Sequence, residues 1–217
     1  GRAASTYQIC WSHEAGQLSS FVVPIDSSAV LVGPRPQSVR CTLGEGCSVS
    51  LAGVGLEQPT RLAWVKGLCG GSFAEIVGLS NPAVGSGELD FGVPVELAEG
   101  SDWNSFAVCW SFNSDSFHDF VVTVDDDALL AGPFSRDHHC TLGVSCVVST
   151  MGSGLSDANR IRISGGSDCD SVAVSWAALA LGSVDGLSYL VGVVTAGTPG
   201  RRHMLCWGVG ALSGLVA

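Results

Sequence analysis

Charge is the scarcest thing in this 217-residue chain. Only 14% of residues are charged, against about 25% in an ordinary soluble domain, and Lys66 is the sole lysine. Nine arginines are scattered, with one adjacent pair, Arg201 and Arg202, and the net charge is −10. Nucleic acid is bound through a basic stripe that neutralises phosphates, so that class of partner is excluded. Long apolar runs are missing too. No segment approaches the roughly 20 uninterrupted apolar residues of a spanning helix; the best candidate, "VAVSWAALALGSVDGLSYLVGVVTAG", is broken by Asp185 and by glycines. None of the four asparagines (Asn81, Asn104, Asn113, Asn159) stands in an N-x-[ST] sequon, so N-linked sugar is not expected. The front carries neither an initiator Met nor a signal peptide, as expected of a chain that starts after processing.

Catalytic signatures are equally absent. There is no G-x-S-x-G elbow, H-E-x-x-H, phosphate loop or dinucleotide fingerprint. The glycine-rich stretches "GGSFAE" and "MGSGL" join no strand to a helix and read as turns. His13 and His118 fall in loops after a "CWS". His138 and His139 precede Cys140, where the earlier copy reads "RPQSVRC"; adjacent histidines on a strand point apart and seldom share one ion. The acidic run Asp125-Asp126-Asp127 offers carboxylates of the kind calcium uses, but without EF-hand spacing it reads as a solvated turn. The expectation is a protein that is not an enzyme, with no catalytic residues, no metal site and no cofactor.

What the chain does have is hydrophobicity, glycine and cysteine. Hydrophobic residues make up 46%, with 29 glycines besides, and mean hydropathy is +0.37. So little charge cannot solvate a large free surface, which points to burial against other chains or to a covering such as glycan. Nine cysteines recur at near-constant intervals: Cys10, Cys41 and Cys47 each lie 99 residues before Cys109, Cys140 and Cys146, while Cys69 lies 100 before Cys169 and Cys109 lies 97 before Cys206. Their surroundings repeat as well. "FVVPIDSSAVLVGP" (21–34) matches "FVVTVDDDALLAGP" (120–133), and "CTLGEGCSVSLAGVGL" (41–56) matches "CTLGVSCVVSTMGSGL" (140–155).

Zinc sites favour cysteines two to four apart, often with histidine. The short spacing here is C-x5-C and the histidines do not follow it, so disulfides in an oxidising compartment are expected. The expected bridges are Cys41–Cys47 and Cys69–Cys109, then Cys140–Cys146 and Cys169–Cys206, although four cysteines admit three connectivities. Cys10 is left over, which suggests a pairing outside its own domain or a free thiol.

Apolar residues come in short runs between Gly, Pro, Ser and Asn. Strands are expected near 20–25, 29–33, 46–52, 61–66, 74–79, 88–97 and 104–111; "CSVSLAG" and "RLAWVKG" alternate with period two. The run 172–182 is ambiguous with a short helix. About seven strands per hundred residues with regular turns describes an immunoglobulin-like β-sandwich. The fold class is all-β: two tandem immunoglobulin-like domains with an extra N-terminal strand. The boundaries are a donor-type strand and hairpin loop over 1–19, a first repeat over 20–112 and a second over 113–217.

The recurring "GP……C.LG..C.V…G.GL" block with a downstream cysteine resembles the IPT/TIG branch of immunoglobulin-like domains, over 20–111 and 119–208. The "CW" ending is similar to the cysteine-rich extracellular repeats of protist surface proteins. The antibody pattern is not met, because Trp11, Trp110 and Trp207 directly follow a cysteine instead of standing between two. Core packing against a disulfide is the expected role of those three. Trp64, Trp103 and Trp176 are unshared between copies and freer to act at an interface.

Three "CW" strands for two domains leave one over. "YQICWS" (7–12) is either a last strand without a domain or the first arm of a hairpin with the strand after it, since "ICWSHEAGQLSSFVV" fits that form. Tyr7, Ile9, Cys10 and Trp11 are thus an assembly strand. An unpaired strand and an open sheet edge are liabilities that cancel when one subunit completes the sheet of another. Such a head-to-tail contact gives an open filament unless it closes into a ring. The expected function is an extracellular or cell-surface structural protein whose partners are copies of itself. The alternative is a segment of a tandem-repeat adhesion or carbohydrate-binding protein. Thr195 and Thr198, in "TAGTPG", are candidate sites for O-linked glycan.

Overall fold

The computed structural model describes residues 2–14, 16–57, 59–97, 106–166, 168–169, 171, 173–174, 181–183 and 185–209. Among them the chain is almost all β, with two short 3-10 turns at Leu18–Ser20 and Phe117–Asp119. Those turns occupy matching places in the repeat, 99 residues apart. Short apolar runs punctuated by glycine, proline, serine and asparagine favour strands over helices along most of the chain.

The chain opens with an antiparallel hairpin of β1 (Ala4–Trp11) and β2 (Val23–Leu31). The first repeat continues through β3 (Gly33–Pro34), β4 (Arg40–Thr42), β5 (Cys47–Ser50), β6 (Gly53–Val54), β7 (Thr60–Lys66), β8 (Ile76–Leu79), β9 (Ala83–Gly85), β10 (Glu88–Leu97) and β11 (Phe106–Ser111). The second contributes β12 (Val122–Pro133), β13 (Ser145–Ser149), β14 (Gly152–Ser153), β15 (Asn159–Ser164), β16 (Leu181–Gly182), β17 (Ser188–Val193) and β18 (Met204–Val209).

One sheet runs β14-β12-β11-β7-β9, with β4 added in parallel to β12; a second runs β5-β10-β8. The second repeat forms β13-β17 and β16-β15-β18. Corresponding strands pair alike: Cys47 faces Gly92 on β10, and Cys146 faces Gly192 on β17. The register slips at that point in both ladders, and both glycines take positive φ, +88° and +90°. Only glycine adopts that conformation without strain, and the bulge it makes turns the strand.

The central strands are buried on both faces, which explains why "FAVCWS" reads as a continuous apolar run. One face of β7 and β11 (Leu62, Trp64, Phe106, Val108 and Trp110) joins Leu89 and Phe91 in the main core. Trp64 meets Phe91 and Phe106 edge-on, at centroid distances of 6.5 and 5.9 Å, a favoured aromatic geometry. The opposite face (Ala63, Val65, Ala107 and Cys109) packs on Phe120, with the Cys69–Cys109 bridge beside it.

Several expectations are corrected. The separate strands near 20–25 and 29–33 are one strand, β2, because polar Asp26 and Ser28 sit on an edge where they need no burial. Short strands at 40–42, 53–54 and 83–85 have no alternating pattern to announce them. Trp64 is not an interface residue but the largest fully buried side chain. Trp103 and Trp176 lie outside the described residues. So does most of the run 172–182, whose last two residues are strand. The "MGSGL" stretch, expected as a turn, holds the short strand Gly152–Ser153 paired with β12, followed by a bend at Gly154 with φ +63°.

The sheet crosses the repeat boundary. β12 opens the second repeat in sequence, yet its body pairs with β11 and β4 of the first. Its tip, Gly132–Pro133, pairs with β14 of the second. The structural unit is therefore out of phase with the sequence repeat, and β12 is a beam shared by both.

Candidate assembly interface

The junction inside the chain shows how one repeat receives the next. β12 pairs antiparallel with β11 (Phe106↔Ala128, Val108↔Asp125, Trp110↔Val122) and parallel with β4 (Leu129↔Arg40, Leu130↔Cys41, Ala131↔Thr42). The Leu43 amide donates to the Ala131 carbonyl at 2.8 Å, and the Leu129 amide to the Val39 carbonyl at 3.0 Å. Leu43 lies over Gly132, where any Cβ would stand 2.5 Å from its Cδ1. The Asp125 carboxylate accepts from the Val39 amide at 2.6 Å. Val124 and Leu130 belong to the same buried cluster as Val39, Leu62, Val108 and Trp110.

The N-terminal hairpin repeats this geometry without the partner. Tyr7↔Ala29, Ile9↔Asp26 and Trp11↔Val23 reproduce the β11–β12 register residue for residue, including its slip after Ile9. Yet among the described residues β1 has no strand on its other side. Ile25 is 64% exposed where its counterpart Val124 is 1%, and Leu31 is 44% exposed where Leu130 is 0%. The strand is thus not unpartnered, as its surplus number suggested; it closes on β2 and leaves the face of both bare. Tyr7 donates its hydroxyl to the Arg2 carbonyl.

Trp11 is half-exposed and Cys10 is free. The expected packing of Trp11 against a disulfide is corrected, because the neighbouring Cys10 forms no bridge and Trp11 stays half-exposed. Trp110 and Trp207 are buried, beside Cys109 and Cys206.

The second repeat shows the opposite deficit. β18 pairs with β15 over six positions, as β11 does with β7, but among the described residues no strand lies on its other edge. Residues 139–141, counterparts of β4, belong to no strand. Leu142 is 44% exposed where Leu43 is 3%, and Cys140 is exposed where Cys41 is buried. The turn that would present Leu142 is nonetheless in place: the Gly143 amide donates to the Val194 carbonyl at 2.8 Å, as Gly44 does to Pro94 at 2.7 Å. A cleft at the internal junction is lined by Leu43, Val95 and Phe134 together with His138, Leu205 and Trp207.

The four bridges join Cys41 to Cys47, Cys69 to Cys109, Cys140 to Cys146 and Cys169 to Cys206. His13 follows β1, and His118 lies in the 3-10 turn after β11 with its ring tilted against Phe117, centroids 3.9 Å apart. His138 is half-buried; burial lowers its pKa, the Arg136 charge adds to that, Asp137 opposes it and His139 adds a little more. His139 is exposed beside it. Asp185 is held below the usual carboxylate range by the Leu187 and Ser188 amides that donate to it in a turn. Asp126 and Asp127 are exposed, while Asp125 spans the junction. Among the described residues no three His, Cys, Asp or Glu converge on one point. No helix of the described residues is long and apolar enough to cross a membrane. Thr195 and Thr198 are exposed in the loop between β17 and β18.

Two junction features escaped the sequence: the Asp125–Val39 contact and the seating of Leu43 on Gly132. Both had a signal, since Asp26 and Asp125, Leu43 and Leu142, and Gly33 and Gly132 all recur in register. No protein-family model matches the chain, and no curated protein matches it.

Proposed function

We propose that this is an extracellular structural protein, built of two IPT/TIG-like immunoglobulin-type repeats, that assembles head-to-tail into a filament through its N-terminal β-hairpin. The observation that carries the proposal is the identity of register between β1–β2 and β11–β12, combined with opposite burial. A hairpin prepared for a partner in every residue pair, but bare on the face that partner covers, is a joining surface. Exposed apolar faces of this kind mark interaction sites. Among the described residues the second repeat presents the complementary shortage, an open strand edge and an exposed Leu142, which suits the bare hairpin. A contact between unlike ends propagates as a chain of subunits. Four disulfides support an oxidising, extracellular setting. Exposure at Thr195 and Thr198 suits O-linked glycan there, which would add mass above that of the bare chain.

Sedimentation velocity and electron microscopy over a concentration series test the proposal. Filaments with a regular repeat are expected, and Leu142→Asp, an exposed change that leaves the subunit folded, is expected to disperse them. A single 22.2 kDa species at every concentration would refute it.

A second reading has its own support. β12 joins the two repeats covalently through one continuous beam, the way a longer tandem array of a surface adhesion protein would join all of its repeats. The native mass separates the two: a subunit near 22.2 kDa for the filament, a far larger covalent chain for the array.

A further inference from the structure

We infer that β1 is a placeholder: on assembly β18 of a neighbouring copy takes its place on β2, so that β2, rather than β1, is the strand inserted into the neighbour. This deepens, and rests on, the head-to-tail filament proposed above.

β1 and β18 are both counterparts of β11, and a junction has one slot for such a strand. Only one of them can stay. β18 is anchored by the Cys169–Cys206 bridge and by a six-pair ladder to β15, with Cys206 and Trp207 buried. Among the described residues β1 has one strand neighbour and no bridge, and Ile9 and Trp11 are half-exposed. Removing β18 requires opening a disulfide and uncovering a core; removing β1 requires breaking one exposed ladder. The weaker strand leaves.

With β18 in place, every contact of the internal junction has a counterpart. Val23 and Ala29 of the incoming β2 face Trp207 and His203, as Val122 and Ala128 face Trp110 and Phe106. The segment 139–141 gains a parallel partner in residues 30–32, and Leu142 seats over Gly33 as Leu43 does over Gly132. Asp26 comes to the His138 amide, as Asp125 does to Val39. Ile25 and Leu31, exposed in the free hairpin, come over His138 and Leu205, which are only partly buried in the single chain. Docking the hairpin whole would place β1 where β18 stands, and pairing β1 edge-to-edge with β18 would set β2 one strand too far from 139–141. Until exchange, β1 covers the edge of β2 and restrains premature pairing, the hazard of any open strand.

Two cysteine pairs in a Cys10→Ser background test this. Tyr7→Cys with Ala29→Cys locks β1 to β2 within one chain, at a facing pair of the hairpin. The locked protein is expected to need at least about tenfold more concentration to assemble, about 1.4 kcal/mol, while each single variant assembles as the parent does. His203→Cys with Ala29→Cys is expected to yield a bridge between chains within the filament, read by peptide mass. Deleting residues 1–12 is expected to lower the concentration needed. Filaments that form undiminished from the locked hairpin, or vanish on the deletion, overturn the placeholder while the filament stands. A parent protein that never assembles overturns the filament itself.

Discussion

β11–β12 and β1–β2 are the same hairpin twice, with the same residue pairs and the same slip of register, and they live in opposite environments. β11 is buried along its whole length and Val124 and Leu130 of β12 with it, whereas Ile9, Trp11, Ile25 and Leu31 of the other hairpin are exposed. The ladder of main-chain hydrogen bonds is common to both, so the ladder cannot be what separates them. The difference is a second neighbour: β7 beside β11, and β4 with Leu43 over β12. Local sequence therefore sets the hairpin, and tertiary burial sets whether it is core or surface.

The sharpest way to break that comparison is to shorten the same leucine in each copy. Leu130 is wholly buried and Leu31 is not. Leu130→Ala is expected to cost about 2–5 kcal/mol, the usual range for a buried leucine. Leu31→Ala in the free subunit should stay within about 0.5 kcal/mol. Urea unfolding of both variants at a concentration below assembly measures the two values, and equal losses would mean that the hairpins are equivalent after all.

Glycine gives the next contrast. Gly33 and Gly132 have similar backbones, with φ +148° and +155°, so the backbone cost of alanine is shared. A Cβ on Gly132 meets Leu43 at 2.5 Å, whereas on Gly33 its nearest neighbour is Trp110 at 3.9 Å. Gly132→Ala is expected to destabilise by about 1–3 kcal/mol more than Gly33→Ala, the range for overpacking. Filament assembly reverses the ranking, because in the joined state Leu142 needs a residue without a side chain at position 33.

Asp125 and Asp26 differ less. Both accept from the amide two residues on, at 3.1 and 2.8 Å, but only Asp125 also takes the Val39 amide. Asp125→Ala is expected to cost about 1–2 kcal/mol more than Asp26→Ala, near the value of one hydrogen bond to a charged group. Thermal melts of the two variants at neutral pH give that difference.

The fold was legible wherever the sequence repeats. Cysteine spacing divided the chain into two sets of four, and the alternation in "CSVSLAG" and "RLAWVKG" placed β5 and β7. Short ladders such as β3–β6 and β9 escaped, because two or three residues carry no period. The phase of the structural unit escaped as well: β12 belongs by sequence to one repeat and by pairing to the other, and partner choice lies in contacts between distant residues. The surplus "CW" strand was visible in the sequence, but its exposure was not, since "YQICWS" and "FAVCWS" have the same apolar pattern. Trp64 misled for a related reason. A residue unshared between repeats can still be core, and Trp64 fills space between Phe91 and Phe106 that the second repeat, with Val191 in place of Phe91, does not have.

The smallest expected effect concerns His138, which stands where the first repeat has Val39. Val39 is covered by β12, while His138 lies half-buried at the uncovered face. Burial lowers its pKa, helped by Arg136 and His139 and opposed by Asp137. A histidine whose folded pKa lies below its unfolded value, about 6.5, is favoured neutral in the fold. Its penalty is absent above the unfolded pKa and grows as pH falls through the folded one. His138→Val, which installs the residue of the other repeat, should leave the melting temperature at pH 7.5 little changed and reduce its drop between pH 7.5 and pH 5. Because the ring is only partly buried, screening by water keeps this below the three differences above. A drop of equal size in parent and variant would show that the acid sensitivity of the second repeat comes from its carboxylates instead.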